Sequence, residues 1–263
     1  MIHSLSVVFP MYNEKDNIEK AVTEALWVAY HICEDVQVVI VDDASTDGCG
    51  GIANRLADEH PELVVIHHPR NRKLGGALKT GFAAATKEWV LYMDSDLPIS
   101  MRDVLRAVPL AEDADIVIGW RKSRAESRRR EVMSKVYNYL IRRVFKLHVR
   151  DVNFAFKLFR REFLERILLT SEGSFIDAEL LLEMQRAEAR FAEVGMDYYP
   201  RVAGASTLAS TSVVIKILSE MMKYRREAYG KTADNFSGER RRLWLERVDQ
   251  SRDRVGVSSR NSP

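Results

Sequence analysis

Asp94 and Asp96 stand two residues apart at the end of a short apolar run, Trp89 to Met93, in a chain of 263 residues. If a strand ends at Met93, the turn that follows can bring both carboxylates onto one cation, and an all-oxygen site of that kind suits Mg2+ or Mn2+. A divalent ion there would bridge a diphosphate and stabilise the charge that develops as a nucleoside diphosphate departs. The plain alternative is a solvated turn. A second acidic pair, Asp42 and Asp43, closes the apolar run Val36 to Val41 and precedes Ala44-Ser-Thr-Asp-Gly48. A carboxylate in that place can accept hydrogen bonds from a nucleobase or ribose, while Ser45, Thr46 or Asp47 can cap the next helix. Between Asn71 and Gly81, Gly75 and Gly76 open a helical pattern whose N–H groups and dipole would face an anion. The same glycines serve equally as turn punctuation.

These residues need a scaffold, and the first half of the chain supplies an α/β pattern. Apolar, β-branched runs at Leu5–Phe9, Val36–Val41, Leu63–His67, Trp89–Met93 and Asp115–Gly119 read as strands. Helical spacing of apolar residues fills the gaps at about Asp16 to Tyr30, Gly51 to His60 and Gly75 to Thr86, which predicts a mostly parallel sheet flanked by helices. Ligands of such sheets bind beyond the carboxyl ends of the strands. There Pro10-Met-Tyr-Asn-Glu14, Asp42 to Gly48 and Asp94-Ser-Asp96 converge on one edge.

Composition bounds the class. A net charge of +2 with 46% hydrophobic residues fits one globular catalytic domain with appendages and gives no sign of nucleic acid as a partner. Cys33 and Cys49 have neither metal spacing nor disulfide density, which points to a reducing compartment. No signal peptide is expected, and no apolar run approaches the ~20 residues of a membrane span, so contact with a membrane is expected to be peripheral. Arg121 to Arg150 holds eleven Lys and Arg against two acidic residues, with Val132, Val136, Leu140, Val144 and Leu147 at helical spacing. It reads either as a basic amphipathic helix at a bilayer surface or as a helix covering its own core. A second such helix is expected at 211–230, with Val214, Ile217, Leu218 and Met221 on one face, followed by a charged, mobile tail at 231–263.

Taken in order, these motifs resemble the inverting GT-A glycosyltransferases of family 2, in particular the branch that acts on polyprenyl (dolichyl) phosphates. The resemblance covers about Ser6 to Thr207. It rests on Ser6-Val-Val-Phe-Pro-Met-Tyr-Asn-Glu14, Val41-Asp-Asp-Ala-Ser-Thr-Asp-Gly48, Asn71-Arg-Lys-Leu-Gly-Gly-Ala77 with Gly81, and Asp94-Ser-Asp96. It implies a GT-A catalytic domain over residues 1–210, with Pro10, Tyr12, Glu14, Asp42 and Asp43 around the nucleoside and Asp94 and Asp96 on metal and diphosphate. The branch often carries Gln two residues beyond its second metal aspartate, where this chain has Pro98.

The second half extends the resemblance through Gly119-Trp-Arg121, Arg130 with Ser134, Asp151-Val-Asn-Phe-Ala-Phe-Lys157 and Arg201-Val-Ala-Gly-Ala-Ser206. It implies that Arg121, Arg130, Ser134 and Arg201 hold the acceptor phosphate, for which converging guanidinium groups are suited. Phe175-Ile-Asp177-Ala-Glu179-Leu180 would place a carboxylate beside the acceptor, with Glu179 slightly ahead of Asp177 as the base. A phosphate monoester, with a second pKa near ~6, is already largely dianionic at neutral pH and needs no base, so either carboxylate can instead orient the sugar, acceptor or metal. The expected reaction moves a hexose from GDP-mannose or UDP-glucose to a polyprenyl phosphate at the cytoplasmic face of a membrane, with a membrane protein or a second copy as a possible partner. Its rivals are a hydroxyl acceptor, a sugar-phosphate nucleotidyltransferase and a non-catalytic nucleotide-sugar-binding module.

Overall fold

The computed structural model describes residues 1–96, 99–122, 128–198 and 219–226. A seven-stranded sheet runs in the order β3-β2-β1-β4-β6-β5-β7. Its strands are β1 (Ser4–Met11), β2 (Asp35–Asp42), β3 (Leu63–His67), β4 (Trp89–Met93), β5 (Ile116–Arg121), β6 (Phe156–Arg160) and β7 (Phe191–Met196). The helices are α1 (Ile18–Ile32), α2 (Cys49–Glu59), α3 (Lys73–Ala84), the short α4 (Met101–Val104), α5 (Arg128–Phe145) and α6 (Ile176–Arg186). All five strands expected from sequence are present, each within a few residues of its expected bounds.

Strands β3, β2, β1 and β4 are parallel, as the alternating β/α pattern requires. Beyond β4 the order breaks, because β6 lies antiparallel between β4 and β5 while β7 runs parallel to β5. Successive side chains of a strand alternate faces, so each buried strand feeds two cores. Leu5, Val7 and Phe9 meet α1 and α2 on one face, whereas Val8, Val39 and Val41 meet α3, α5 and α6 on the other. A strand buried on both faces must be apolar or have its polar groups paired, which is why β2 reads Val-Gln-Val-Val-Ile-Val before its acidic end, with Gln37 accepting from Ser6 Oγ and Thr86 N.

Helix α5 departs from the expected stripe. The residues it turns inward are Asn138, Ile141 and Phe145, whereas Val132 and Val136 are 57% and 47% exposed. Leu147 lies past the end of the helix and is buried. Within 211–230 only residues 219–226 are described. They are helical, and Met221 and Tyr224 pack into the core, with the Tyr224 ring against Phe145 and Phe175 and its hydroxyl donating to Glu183 at 2.6 Å. Those two side chains pack against the protein itself, while Met222 beside them is exposed. The segment 231–263 lies outside the described residues, and no described helix is long and apolar enough to cross a membrane.

Candidate active site

The parallel strands deliver their chemistry to one edge because β1, β2 and β4 all end there. The loop after β1 is stitched to the loop after β2: Asn13 N donates to Ser45 Oγ at 3.0 Å, Lys15 N to Asp47 Oδ2 at 2.9 Å, and Thr46 N to Asn13 Oδ1 at 2.8 Å. Asn13 and Ala44 take positive φ to make these turns. Ser95 Oγ donates to Pro10 O at 3.1 Å, tying the Asp94–Asp96 turn to the end of β1. Tyr12 is half exposed on this edge, and Glu14 is partly buried, accepting from Asn17 Nδ2 at 2.7 Å.

Asp42 and Asp43 are both buried and each meets a histidine. In the β2–β3 register Asp42 lies opposite His67. Asp42 Oδ2 pairs with His67 Nδ1 at 2.8 Å, Oδ1 accepts from Ser45 N at 2.9 Å, and the far nitrogen of His67 reaches Asn54 Oδ1 at 2.9 Å. Burial opposes ionisation of Asp42, but the hydrogen bonds from Ser45 and His67 outweigh it and hold the carboxyl below its ordinary range. Asp43 Oδ1 meets His68 Nδ1 at 2.7 Å and accepts from Arg72 N at 2.7 Å, while His68 Nε2 reaches Thr80 Oγ1 at 2.9 Å. Asp43 therefore fixes the loop that leads into α3, and Asp42 is the member of the pair flanked by a part-exposed ring.

The glycines opening α3 have a packing role. Gly75 N donates to Glu172 O at 2.9 Å, and a β-carbon there would lie 2.4 Å from Ser171 O. Only glycine lets the 171–172 loop approach so closely.

The buried Tyr92 hydroxyl lies beside the Asp94–Asp96 turn. Burial, then the negative charges of Asp177, Asp94 and Asp96, push Tyr92 well above its ordinary pKa, and Tyr92 Oη lies 3.4 Å from Asp94 Oδ1. Asp177, in the first turn of α6, pairs with Lys157 Nζ at 2.5 Å. Burial raises the pKa of Asp177 and Asp151 adds to the rise, with Lys157 offsetting part of it. Asp94 and Asp96 could offer two hard oxygen ligands, and among the described residues no group of three His, Cys, Asp or Glu is placed to hold a metal ion. Two carboxylates with the other positions left to phosphate oxygens and water is a set Mg2+ accepts.

Glu179 stands elsewhere. It is fully buried, and its oxygens accept from Thr170 N at 2.9 Å, Thr170 Oγ1 at 2.6 Å and Ser171 N at 2.8 Å. Those bonds make it an anchor of the loop before α6, whereas Asp177 pairs with Lys157, the residue opposite Tyr92 in the sheet. Arg121 ends β5 nearly buried, its Nε 2.9 Å from Asp151 Oδ2 and its guanidinium between the rings of Phe154 and Tyr198 at 5.6 and 5.1 Å. Ser134 is partly buried on α5, where its Oγ accepts from Asn138 Nδ2 at 3.4 Å. Arg130 lies in the first turn of α5 with its side chain outside the description, and Pro98 and Arg201 lie outside the described residues.

The family model for glycosyl transferase family 2 matches residues 6–168. This chain belongs to that family. Among curated relatives, glycosyltransferase AglD of Haloferax volcanii is 33% identical over 207 residues, 75% of this chain but 33% of its own length. Polyprenol monophosphomannose synthase of Mycolicibacterium smegmatis is 29% identical over 222 residues, 79% of this chain and 82% of the relative. Glucosyl-3-phosphoglycerate synthase from Mycobacterium tuberculosis, solved with Mn2+, uridine diphosphate and phosphoglyceric acid, superposes with a TM-score of 0.67 at 17% identity over 84% of this chain and 78% of that one. The likeness establishes the GT-A fold. Family membership removes the nucleotidyltransferase alternative. Of the residues that shape this glycosyltransferase's site, His67, His68 and Lys157 were not singled out from sequence. A His-His pair ending β3 beside an Asp-Asp pair ending β2 is the signal that marks the first two, and Lys157 in an otherwise apolar strand marks the third.

Proposed function

We propose that this family 2 glycosyltransferase moves a hexose, from GDP-mannose or UDP-glucose, to a polyprenyl phosphate with inversion at the anomeric carbon. The observation that carries the reading is the polar cluster at the ends of β4 and β6, where Asp94 Oδ1 lies 3.4 Å from Tyr92 Oη and Lys157, 5.1 Å from the centre of the same ring, holds Asp177. The acceptor is supported by the monophosphomannose synthase, matched over most of its length, and by the undecaprenyl-phosphate 4-deoxy-4-formamido-L-arabinose transferase of Photorhabdus laumondii, 28% identical over 176 residues.

In this reading Asp42 accepts hydrogen bonds from the nucleoside, with Tyr12 and Pro10 along its edge and Asp43 holding the loop that closes against it. Asp94 and Asp96 would hold Mg2+ or Mn2+, which supplies charge stabilisation for the departing diphosphate. Asp177 orients the transferred sugar. A phosphate oxygen of the acceptor forms the new bond to the anomeric carbon as the bond to the diphosphate breaks, and the nucleoside diphosphate leaves with the electron pair. The acceptor is already charged at neutral pH, so no side chain has to take a proton. Arg121, held by Asp151, with Arg130, Ser134 and Arg201, forms the acceptor-phosphate group. The exposed Val132, Val136 and Tyr139 of α5, among exposed Lys135, Arg142 and Arg143, give a face suited to an anionic membrane surface, consistent with peripheral docking on the cytoplasmic leaflet.

Radiolabelled GDP-mannose and UDP-glucose, incubated with a polyprenyl-phosphate extract and Mg2+ or Mn2+, test this directly. Labelled, mild-acid-labile lipid formed by the wild type and lost in Asp96→Ala is the expected result and names the donor. Donor turnover without labelled lipid would transfer the reading to a hydroxyl acceptor.

A further inference from the structure

Lys157 is the one lysine among the described residues with a fully buried side chain in a central strand. On β6 it lies opposite Tyr92 of β4 and Ile118 of β5, so it stands in the sheet next to the strand that ends in Asp94 and Asp96. Its ammonium donates to Asp177 Oδ1 at 2.5 Å and to Phe154 O at 3.0 Å, and sits 5.1 Å from the centre of the Tyr92 ring. Removing an ammonium and a carboxylate from water costs several kcal/mol per ion, and apolar pairs of similar volume are often at least as stable. Stability therefore gives no reason for an ion pair here. The pair does constrain Asp177: one oxygen is occupied by Lys157, while Oδ2 accepts no hydrogen bond among the described residues.

We propose that Lys157 is a positioning residue for transfer. By fixing Oδ1 of Asp177 it aims the second oxygen at the sugar carried beside Asp94 and Asp96, a role that rests on the reaction centre described above. Lys157 touches no substrate itself, and acts only through Asp177. The carbonyl of Phe154 serves as the second fixed point for the ammonium, so the lysine cannot follow a carboxylate that drifts.

The test is a double-mutant cycle in the full chain on Lys157→Met and Asp177→Asn, with thermal melting, donor KM and kcat measured for each. A misplaced group in an active site costs up to about 100-fold, so Lys157→Met is expected to lower kcat by about 10- to 100-fold with donor KM within about threefold. Lys157→Met/Asp177→Asn is expected to be no slower than Asp177→Asn alone. A folded Lys157→Met with wild-type kcat, whatever its melting temperature, would reduce the lysine to a tether between β6 and α6 and overturn the proposal. If Lys157→Met does not fold, the comparison of the double variant with Asp177→Asn decides: equal kcat supports action through Asp177, and a further tenfold fall refutes it. A wild type that transfers no sugar from either donor would overturn the reading of the site itself, a result distinct from an active wild type indifferent to Lys157.

Discussion

Replacing Gly50 by alanine tests the role of Asp42 without touching its carboxylate. Gly50 lies in the first turn of α2, and a β-carbon there would stand 2.6 Å from Asp42 Oδ2 and 3.3 Å from His67 Cε1. Both oxygens of Asp42 are tied, to Ser45 N and to the His67 ring, so the side chain yields only by breaking one of these bonds. Two effects on stability oppose each other: alanine gains up to ~1 kcal/mol of helix propensity over glycine, and overpacking costs ~1–3 kcal/mol. The fold survives with a small net loss. Binding is affected more, because a hydrogen bond to a charged group contributes about 1.5–3 kcal/mol, and at ~1.4 kcal/mol per tenfold its loss raises the donor constant about 10- to 100-fold. Initial rates across donor concentration, with calorimetric titration of the nucleoside diphosphate alone, should show donor KM raised by that factor, kcat nearly unchanged and acceptor KM unmoved. An unchanged donor KM in a variant whose melting temperature has shifted would show that Asp42 does not contact the nucleoside.

Three further outcomes are expected. Glu179→Gln sets an amide donor against the Ser171 N–H, which costs about 1–3 kcal/mol, and the melting temperature should fall by roughly 2–12 °C with kcat of the folded enzyme within about threefold; an unshifted melt with a hundredfold loss of kcat would make Glu179 chemical instead. Hydrogen bonds from Arg190 lower the pKa of Asp115 despite its burial, so its stabilisation is complete above the unfolded value near ~4 and is lost as pH falls through the depressed folded one. Melting followed down from pH ~5 should therefore show less acid loss in Asp115→Asn than in the wild type, and parallel curves would refute that assignment. Val136→Ser with Tyr139→Ser should weaken co-sedimentation with anionic vesicles about tenfold or more, since each substitution removes exposed apolar surface worth ~1–2 kcal/mol of insertion; unchanged binding would move the membrane contact off α5.

The sequence carried the half of the protein in which local pattern and fold agree. Buried parallel strands must be apolar on both faces, so β1 to β5 announced themselves, and their polar ends marked the Asp42 and Asp94–Asp96 turns before any contact was known. Strands β6 and β7 and helix α6 were not read as elements, because β6 enters the sheet antiparallel between two strands far away in sequence, and no local spacing encodes that partner. The apolar stripe of α5 was placed a fraction of a turn away from its true inward face for a similar reason. Val132 and Val136 keep helical spacing with Leu140, yet only packing against Phe175 and Tyr224 reveals that Ile141 and Phe145 form the buried edge.

Residue types at the strand ends thus marked where chemistry is available to this glycosyltransferase: acidic pairs at the ends of β2 and β4, and a basic residue, Arg121, at the end of β5. What only the tertiary structure decided is which partners each carboxylate of α6 meets. Asp177 and Glu179 are two residues apart in the first turn of one helix, with Glu179 slightly ahead as the expected base, and about 200° of helical rotation separates them. That rotation sends Glu179 into the backbone of the 170–171 loop and leaves Asp177 against Lys157, because a buried carboxylate settles wherever the surrounding chain supplies it with donors.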